Sequence, residues 1–402
     1  MEAPRSNAGA ARVIEVHPAE LKARARIAAE VAKAHAAVVD RDGRFPSEAF
    51  EEIRRQQLLG IMVPKSLDGE GASLAEIVDV CYTLGQTCGS TALIYAMHQI
   101  KMACIVRHIR GNAAIEKILR RVAADQLLLA SSTTEGQTGG NVRASEAAIG
   151  REGDLVTLER KATVISYAME ADGIVTTARR AEDAAASDQV LLLILKSDYT
   201  LERLQGWDTL GMRGTHSEGF TLRANAAAGQ ILPEPYERIH PQTMVPHAHL
   251  LWGSVWAGIA AAAAAKAQTF IRHAARQANG QMPPGAAHFT QAMSSLRMLR
   301  GVLRAALRAY EAILADEKAI TSLEFQSMIT LTKVQASELA VATVLSSLRA
   351  CGLSGFRNDS EFSIGRHLRD VLSAPLMINN DRILSNLAAT SLMTPLPNSI
   401  SG

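Results

Sequence analysis

The residues of this chain that could do chemistry are imidazoles, one carboxylate and a segment rich in glycine and hydroxyl groups. Residues 131–143 read SSTTEGQTGGNVR, and such glycines let backbone amides approach a planar ligand closely, although a polar hairpin turn has the same composition. His98 and His249 titrate near neutral pH and are candidate proton acceptors. His98 lies in IYAMHQIK, and a helix histidine beside apolar neighbours is often a packed core residue. Asp381, in MINNDRI, is a candidate carboxylate base.

The overall charge and the cysteines exclude several classes of protein. The 402 residues carry a formal net charge of only +2, with 48% hydrophobic and 20% charged residues, which argues against disorder and against a nucleic-acid partner. The cysteines form no CxxC pair and have no histidine at ligand spacing, so zinc is not indicated and buried reduced thiols are expected at Cys81, Cys88, Cys104 and Cys351.

Targeting signals are not apparent in the sequence. The start, MEAPRSNAGAARVIEVHPAE, has no apolar h-region, and the longest apolar run, around residues 258–265, is too short to span a bilayer. We therefore expect a cytoplasmic protein that does not associate with a membrane.

The periodicity of apolar residues predicts three structural units that position these side chains. Alanine- and leucine-rich segments with apolar residues recurring at three and four positions predict a helical domain over residues 1–125. Short β-forming runs such as LVTLERKATVI and QVLLLILK predict an antiparallel β-domain over 126–232. Helical periodicity returns over 233–402 and predicts a bundle. The chain is thus expected to be mainly α, with a β-domain inserted between two helical units.

Several motifs in this order resemble the acyl-CoA dehydrogenase superfamily over nearly the whole chain. Residues 206–222, GWDTLGMRGTHSEGFTL, resemble LGxRGTxSxxLxF, and residues 163–179, TVISYAMEADGIVTTAR, resemble WITNGxxADxxxVxAR. The SSTTEGQTGGNVR segment stands in place of TEPxxGSD. Residues 272–291 resemble the R…FG…FQ signature, residues 351–356 stand in place of QxxGGxGY, and Arg369 with Asp370 repeats the family's RD. The resemblance implies an N-terminal helical domain, a middle β-domain and a C-terminal four-helix bundle.

The resemblance also implies a flavin and the residues that bind it. Ser166 would hydrogen-bond the flavin near its reactive nitrogen, where hydroxyls and amides stabilise negative charge on the reduced ring. Arg276 would pair with the diphosphate of FAD in a neighbouring subunit, because a guanidinium binds two phosphate oxygens at once. The implied cofactor-binding residues are Thr133, Thr134, Ser166, Arg213, Thr215, Arg276, Gln291, Gly352 and Gly355.

The family's catalytic glutamate is missing from this sequence. Dehydrogenation of an acyl thioester needs a base for the α-proton, worth roughly two to four powers of ten in rate. The two family positions fall at Ile378 or Asn379, and near Ala248 or His249, and none of these is a carboxylate. Asp381 with a shift in register, or His249, could serve instead. His98 could face the flavin in either class of enzyme.

Three functions remain open from the sequence. The first is FAD-dependent α,β-dehydrogenation of an acyl-CoA or acyl-carrier-protein thioester, with an electron-accepting flavoprotein as partner. The second is a two-component monooxygenase that oxidises a small aromatic substrate with oxygen and with FMN or another reduced flavin from a reductase. The third is a non-catalytic scaffold that binds flavin or an acyl thioester. The resemblance implies a homodimer or a homotetramer built as a dimer of dimers.

Overall fold

The structure is a computed structural model, and it describes residues 18–135 and 142–393. The first unit of the described chain is helical. Helix α3 begins with a capping box in which Ser73 and Glu76 bond to each other's backbone N–H, and α5 begins at Asn112, whose side chain accepts from two N–H groups. The helices of this unit are α1 (Pro18–Asp42), α2 (Ser47–Arg55), α3 (Leu74–Gly85), α4 (Gly89–His108) and α5 (Ala113–Asp125).

The second unit contains two β-sheets. The strands are β1 (Leu129–Ser132), β2 (Gly150–Glu152), β3 (Leu155–Ile165), β4 (Gly173–Arg179), β5 (Gln189–Leu195), β6 (Tyr199–Gln205) and β7 (Glu218–Ala227). One sheet has the order β1-β4-β5 and the other has the order β2-β3-β7-β6. Pairing is antiparallel, as predicted, except that β1 runs parallel to β4. The β2–β3 hairpin lies between them in sequence, and a parallel pair requires such a long connection.

The alternation of side chains along β3 explains why Arg160 of the β-unit is buried. Its side chains alternate between the two faces, and the inward positions are Val156, Leu158, Arg160 and Ala162, all buried. Three of these are apolar, so the sheet face that they form packs into the core. Arg160 shares that face and is therefore carried into the interior.

The third unit is again helical and begins with an irregular turn. The five residues His240–Met244 form a π-helix between α6 and α7. The helices are α6 (Tyr236–Ile239), α7 (Val245–Gln277), α8 (Ala286–Ala312), α9 (Glu317–Thr321), α10 (Leu323–Phe356), α11 (Gly365–Val371), α12 (Ser373–Leu376) and α13 (Asn380–Met393). The prediction of a mainly helical chain with an inserted β-unit is confirmed.

The three units share one hydrophobic core. A single cluster of buried apolar side chains includes Ile53 of α2, Val175 of β4 and Trp256 of α7. Helix α7 crosses α3 closely, because a Cβ on Gly258 would lie 2.5 Å from the Tyr82 carbonyl oxygen. The units are thus positioned by common packing rather than by flexible linkers.

Two helical segments of the described chain are long and apolar enough to cross a membrane on length and composition alone. These are Tyr236–Gln277 and Leu323–Phe356, and 83% of the most apolar window in the first segment is buried inside the protein. The apolar character of the first segment is therefore accounted for by its place in the core.

Candidate functional site

Three hydroxyl groups form a connected chain just beyond the end of β3. Ser166 Oγ lies 2.7 Å from Ser217 Oγ, which lies 2.8 Å from Thr215 Oγ1. Thr215 Oγ1 donates to the carbonyl oxygen of Met212 at 2.9 Å. Ser166, Thr215 and Ser217 are all buried, and we call them the hydroxyl chain.

The direction of the hydroxyl chain follows from its last acceptor. A carbonyl oxygen only accepts, so the Thr215 proton points to Met212 and Ser217 must donate to Thr215. Ser166 then donates to Ser217, and the lone pairs of Ser166 Oγ are left to accept from a ligand. The sequence predicted a hydroxyl that stabilises negative charge by donating, whereas the geometry prepares Ser166 to accept an N–H.

A buried aspartate fixes the acceptor end of the hydroxyl chain. Asp370 Oδ1 accepts from the Met212 backbone N–H at 2.8 Å, and burial raises the pKa of this carboxyl to about 6. A Cβ on Gly211 would lie 2.1 Å from the Arg369 carbonyl oxygen, so only glycine allows this close approach. The RD pair therefore positions the hydroxyl chain through the backbone of residues 211 and 212.

Arg213, predicted to contact a flavin, instead joins the β-unit to α1. Its Nε donates to the Asp40 carbonyl at 2.8 Å, and its Nη1 donates to the Thr209 carbonyl at 2.9 Å and to the Asp208 carboxylate at 3.1 Å. Arg369 Nη1 donates to the carboxylate of the same Asp40 at 2.8 Å. These contacts give the Arg213 guanidinium a structural role, and its contact with a flavin stays a prediction.

The segment that follows β1 contains the predicted flavin contacts Thr133 and Thr134. Thr133 is buried and Thr134 is half-buried. Within residues 18–135 and 142–393, the buried Ser132 Oγ has no hydrogen-bond partner. Residues 136–141 of the predicted glycine-rich loop lie outside the described residues.

His98 is a core residue held by backbone groups on both sides. Its Nδ1 accepts from the Leu129 backbone N–H at 3.0 Å, so Nε2 carries the proton and donates to the Leu59 carbonyl at 2.9 Å. Burial lowers its pKa to about 4. Both ring nitrogens are engaged and the ring stays neutral, so these contacts do not favour the predicted catalytic role of His98, and its position against a flavin stays a prediction.

Asp381 lies in the first turn of α13 and is exposed in the single chain. Its backbone N–H donates to Asn379 Oδ1 at 2.9 Å, so its placement follows from its role at the start of the helix. An exposed carboxylate remains fully solvated and is a poor base for a carbon acid in a dry pocket. The predicted catalytic role of Asp381 finds no support in this position.

His249 is buried on α7 and keeps one nitrogen available. Its Nδ1 donates to the Ile329 carbonyl at 3.0 Å, so Nε2 has a lone pair. Burial lowers its pKa to about 4. His249 is therefore a neutral imidazole that can accept a hydrogen bond but is a weak base.

The last bundle contains the residues predicted to bind the flavin diphosphate. Arg276, in the last turn of α7, and Gln291, in α8, are both exposed. Gly352 interrupts α10 with φ of +55°, and Gly355 is buried one turn later. Their contact with a flavin of a neighbouring subunit stays a prediction.

A group of buried donors at the junction of the three units was missed by sequence reasoning. Lys101 Nζ lies 3.5 Å from Met244 Sδ, which is a weak acceptor. Within the described ranges, the Tyr236 hydroxyl and the Nε and Nη2 atoms of Arg160 have no hydrogen-bond partner. We call Lys101, Arg160, Tyr236 and His240 the interior donor cluster.

The members of the interior donor cluster are close enough to perturb one another. Burial lowers the pKa of Lys101 to about 8, and the charge of Arg160 acts in the same direction. Burial lowers the pKa of His240 to about 3, with smaller effects in that direction from Arg143, His249 and Lys101. The cluster is therefore a region of positive potential inside the protein.

The carboxylate of Glu135 partly neutralises the positive charge of the interior donor cluster. Its Oε1 lies 3.7 Å from Arg160 Nη1, and its carboxylate also accepts from the backbone N–H groups of Glu146 at 2.7 Å and Ala147 at 3.2 Å. Arg160 Nη1 also donates to the Thr177 carbonyl oxygen. Glu135 thus connects the donor cluster to the segment that carries Thr133.

An open groove of about 680 Å³ is lined by Glu135, by outward residues of β3 and by Leu204 of β6. Its lining includes three carboxylates, those of Glu135, Glu146 and Glu159, and one cation, Lys161. This excess of negative charge is unfavourable for a diphosphate, so the groove does not fit that part of a flavin.

Sequence comparisons agree with the predicted resemblance. The family "Acyl-CoA dehydrogenase, N-terminal domain" matches residues 18–126. The probable acyl-CoA dehydrogenase YngJ of Bacillus subtilis is 24% identical over a region that covers 50% of this chain and 53% of YngJ. This alignment therefore spans only about half the length of that relative.

Solved structures cover nearly the whole chain. The FMN-bound dibenzothiophene monooxygenase TdsC of Paenibacillus sp. A11-2 has a TM-score of 0.82 at 17% identity, over 94% of this chain and 98% of TdsC. The butyryl-CoA dehydrogenase of Megasphaera elsdenii has a TM-score of 0.76 at 15% identity, over 94% and 98%. This chain has the acyl-CoA dehydrogenase fold.

The acyl-CoA dehydrogenase fold explains the order of the three units, and both a monooxygenase and a dehydrogenase share it. The fold therefore leaves the reaction to be argued from the residues of the site. The candidate residues are those of the hydroxyl chain, the neutral His249 and the interior donor cluster.

Proposed function

We propose that this protein is a flavin-dependent monooxygenase that oxidises a small organic substrate with molecular oxygen. One observation carries the proposal: the positions at which dehydrogenation requires a carboxylate are Ile378, Asn379, Ala248 and His249. Oxygenation by a reduced flavin removes no α-proton from a thioester, so the missing glutamate does not hinder it.

The hydroxyl chain fits the edge of a flavin ring. A reduced flavin presents N–H groups, and Ser166 Oγ has lone pairs directed away from its own donor bond to Ser217. Ser132 Oγ adds a buried hydroxyl with no partner among the described residues, beside the half-buried Thr134. When bound, the flavin supplies the electrons that reduce oxygen.

The chain's own residues would bind and orient the ring and the substrate. Ser166 would hold one ring N–H, and Met212 and Asp370 would keep the hydroxyl chain in place. His249 offers a neutral acceptor, and buried apolar walls exclude water from the reaction. The FMN-bound monooxygenase TdsC, which shares this fold, is consistent with the proposal.

The second candidate is FAD-dependent dehydrogenation of an acyl-CoA or acyl-carrier-protein thioester. It is favoured by the family match of residues 18–126 and by the likeness to YngJ. In this reaction His249 would have to take the α-proton through Nε2, since the carboxylate of Asp381 is exposed.

Purified full-length protein separates the two candidates. We expect flavin-dependent oxygen consumption that rises when reduced FMN or FAD, supplied by a separate flavin reductase, is combined with aromatic substrates. Anaerobic bleaching of a bound flavin by acyl-CoA thioesters would favour dehydrogenation. Flavin binding without either reaction would contradict both and leave a binding scaffold.

A substitution tests the role of Ser166. Ser166→Ala removes the acceptor of the ring N–H in the reduced state, so we expect the two-electron reduction potential of the bound flavin to fall by about 20 mV. Ser187→Ala, the same change at an exposed residue, should leave the potential unchanged. An unchanged potential and flavin affinity in Ser166→Ala would rule out this contact.

A further inference from the structure

Within the part of the chain that the structure describes, the interior donor cluster holds more positive charge and more hydrogen-bond donors than its neighbours balance. Lys101 Nζ has only a thioether as its partner, and the Tyr236 hydroxyl and two guanidinium nitrogens of Arg160 have none within the described residues. Lys101 and Arg160 are each at most 1% exposed. Buried donors of this kind are normally satisfied in a folded protein.

Glu135 is the carboxylate that the described residues place against the cluster, 3.7 Å from Arg160 Nη1, and it already has other partners. Glu135 is shared between Arg160 and two backbone N–H groups, and among the described residues no carboxylate forms an ion pair with Lys101. A buried ammonium without a counter-charge is unfavourable by several kcal/mol. Buried water could satisfy the hydrogen bonds, but it would not balance the charge.

The location of the cluster points to a ligand. Its residues come from α4, from the inward face of β3, and from α6 with the π-helix. Lys101 Nζ lies 3.5 Å from Met244 Sδ, and the rings of Tyr236 and His240 are 5.6 Å apart. The charge of Arg160 acts on both Lys101 and Tyr236, so the cluster lies where the three units join. Short π-helices occur frequently at functional sites because they displace side chains from regular helical positions. His240–Met244 contributes both His240 and the Met244 sulfur to this cluster.

We propose that Lys101, with Arg160 and Tyr236, binds the carboxylate of a small organic acid that is the substrate of the enzyme. The ammonium would supply the counter-charge, and the Tyr236 hydroxyl and the free guanidinium N–H groups would donate to the carboxylate oxygens. This inference rests on the proposed function only in treating the bound acid as the substrate. Binding of the acid itself depends on the cluster alone.

The test compares acids with their neutral amides on the full-length, flavin-loaded protein. The probes are benzoate with benzamide, phenylacetate with phenylacetamide, and hexanoate with hexanamide, measured by isothermal titration calorimetry at pH 7. We expect at least one acid to bind about ten- to a hundredfold more tightly than its amide. If no acid in the panel is preferred over its amide, the proposal is wrong.

Substitutions test whether the preference for the acid over its amide depends on the interior donor cluster. Lys101→Met keeps the length of the side chain and should abolish the preference for the acid over its amide. Tyr236→Phe removes a single hydroxyl and should reduce that preference several-fold. Lys333→Met is the matched control, because Lys333 is also buried but donates to Asn380 Oδ1 at 2.7 Å. It should keep the preference.

The outcomes distinguish this inference from the proposed function. Flavin absorbance is recorded for each variant, since loss of flavin binding would argue against the function rather than against the acid site. A Lys101→Met protein that stays folded, binds flavin and still prefers the acid would overturn the inference. A preference for acids without oxygen consumption would leave the acid site intact and contradict the monooxygenase.

Discussion

At the scale of single residues, two buried lysines show that the hydrogen-bond partner of a buried ammonium determines whether its charge is stabilised. Lys333 donates to Asn380 and lies 5.8 Å from the centre of the Trp256 ring, so its ammonium is stabilised within the protein. Among the described residues, Lys101 Nζ has only the Met244 sulfur as a partner. Burial lowers the pKa of both lysines to about 8, and Lys101 differs from Lys333 because these residues give it no oxygen acceptor.

Lys101 should make the stability of the unliganded protein depend on pH. Its pKa falls from 10.5 to about 8 on folding, so the unfolded chain binds more protons between these values and stability rises with pH across that interval. Below pH 8 the charged lysine lowers the free energy of unfolding by about 3 kcal/mol. Lys101→Met should therefore be more stable than the native protein at pH 7, and the difference should shrink towards pH 10.

Urea unfolding of both proteins between pH 6 and pH 10 measures this difference. The titratable groups that interact electrostatically with Lys101 are Cys104, Arg160 and His240, and they are present in both proteins, so their own titration largely cancels. A difference that does not change with pH would mean that Lys101 is not a buried charge.

Some residues of the site can be predicted from sequence and others cannot. The resemblance implied that Ser166 and Thr215 both bind the flavin, but Ser217, which connects them, and the direction of their hydrogen bonds follow only from the structure. Arg160 could have been found, because it takes an inward position in the alternation of β3. The arrangement around Lys101 was not predictable, since it depends on contacts between distant segments.

At the scale of elements, the crossing of α3 and α7 depends on two glycines. A Cβ on Gly85 would lie 2.6 Å from the Val255 carbonyl oxygen, and a Cβ on Gly258 would lie 2.5 Å from that of Tyr82. The obstacle is backbone in both cases, so a side chain cannot rotate away to make room. The sequence alone does not show which helix lies opposite Gly258, because the crossing joins segments that are distant in the chain.

Gly258→Ala should force the two helices apart. Overpacking of this kind lowers the free energy of unfolding by about 1–3 kcal/mol, although alanine is the better helix former. Gly301→Ala is the control, because a Cβ on Gly301 of α8 meets nothing within 4 Å, and it should stabilise the protein by about 0.5–1 kcal/mol. Equal effects of the two changes in thermal unfolding would show that the crossing is not tight.

At the scale of elements, the sequence does not predict which strands of the middle unit pair with one another. The β-character of the middle unit was evident from short apolar runs, and four of its five strand pairs are antiparallel as expected. The parallel pairing of β1 with β4 was missed, because the partner of a strand depends on the tertiary path of the chain rather than on its own pattern. The π-helix was missed for the same reason.

At the scale of the whole molecule, the third unit exposes apolar residues beside the bend of α10. Leu353 and Phe356 are 73% and 74% exposed, and Met282, in the loop before α8, is 75% exposed. Exposed apolar groups of this kind are consistent with the predicted contact between subunits. The order of the three units could be predicted from sequence, whereas the assembly stays a prediction.

If Arg276 completes a flavin site across a subunit boundary, flavin affinity must depend on assembly. Binding that occurs only in the oligomer makes the apparent affinity for FAD rise with protein concentration. Arg276→Met should weaken FAD binding about tenfold or more through loss of a guanidinium–phosphate pair, with little effect on FMN, which lacks the second phosphate. Arg272→Met, a change of the neighbouring exposed arginine on α7, is the control. Fluorescence titrations of FAD at two protein concentrations test this prediction, and sedimentation follows the assembly at each concentration. If a dilute monomer binds FAD as strongly as the oligomer does, a flavin site shared between subunits is excluded.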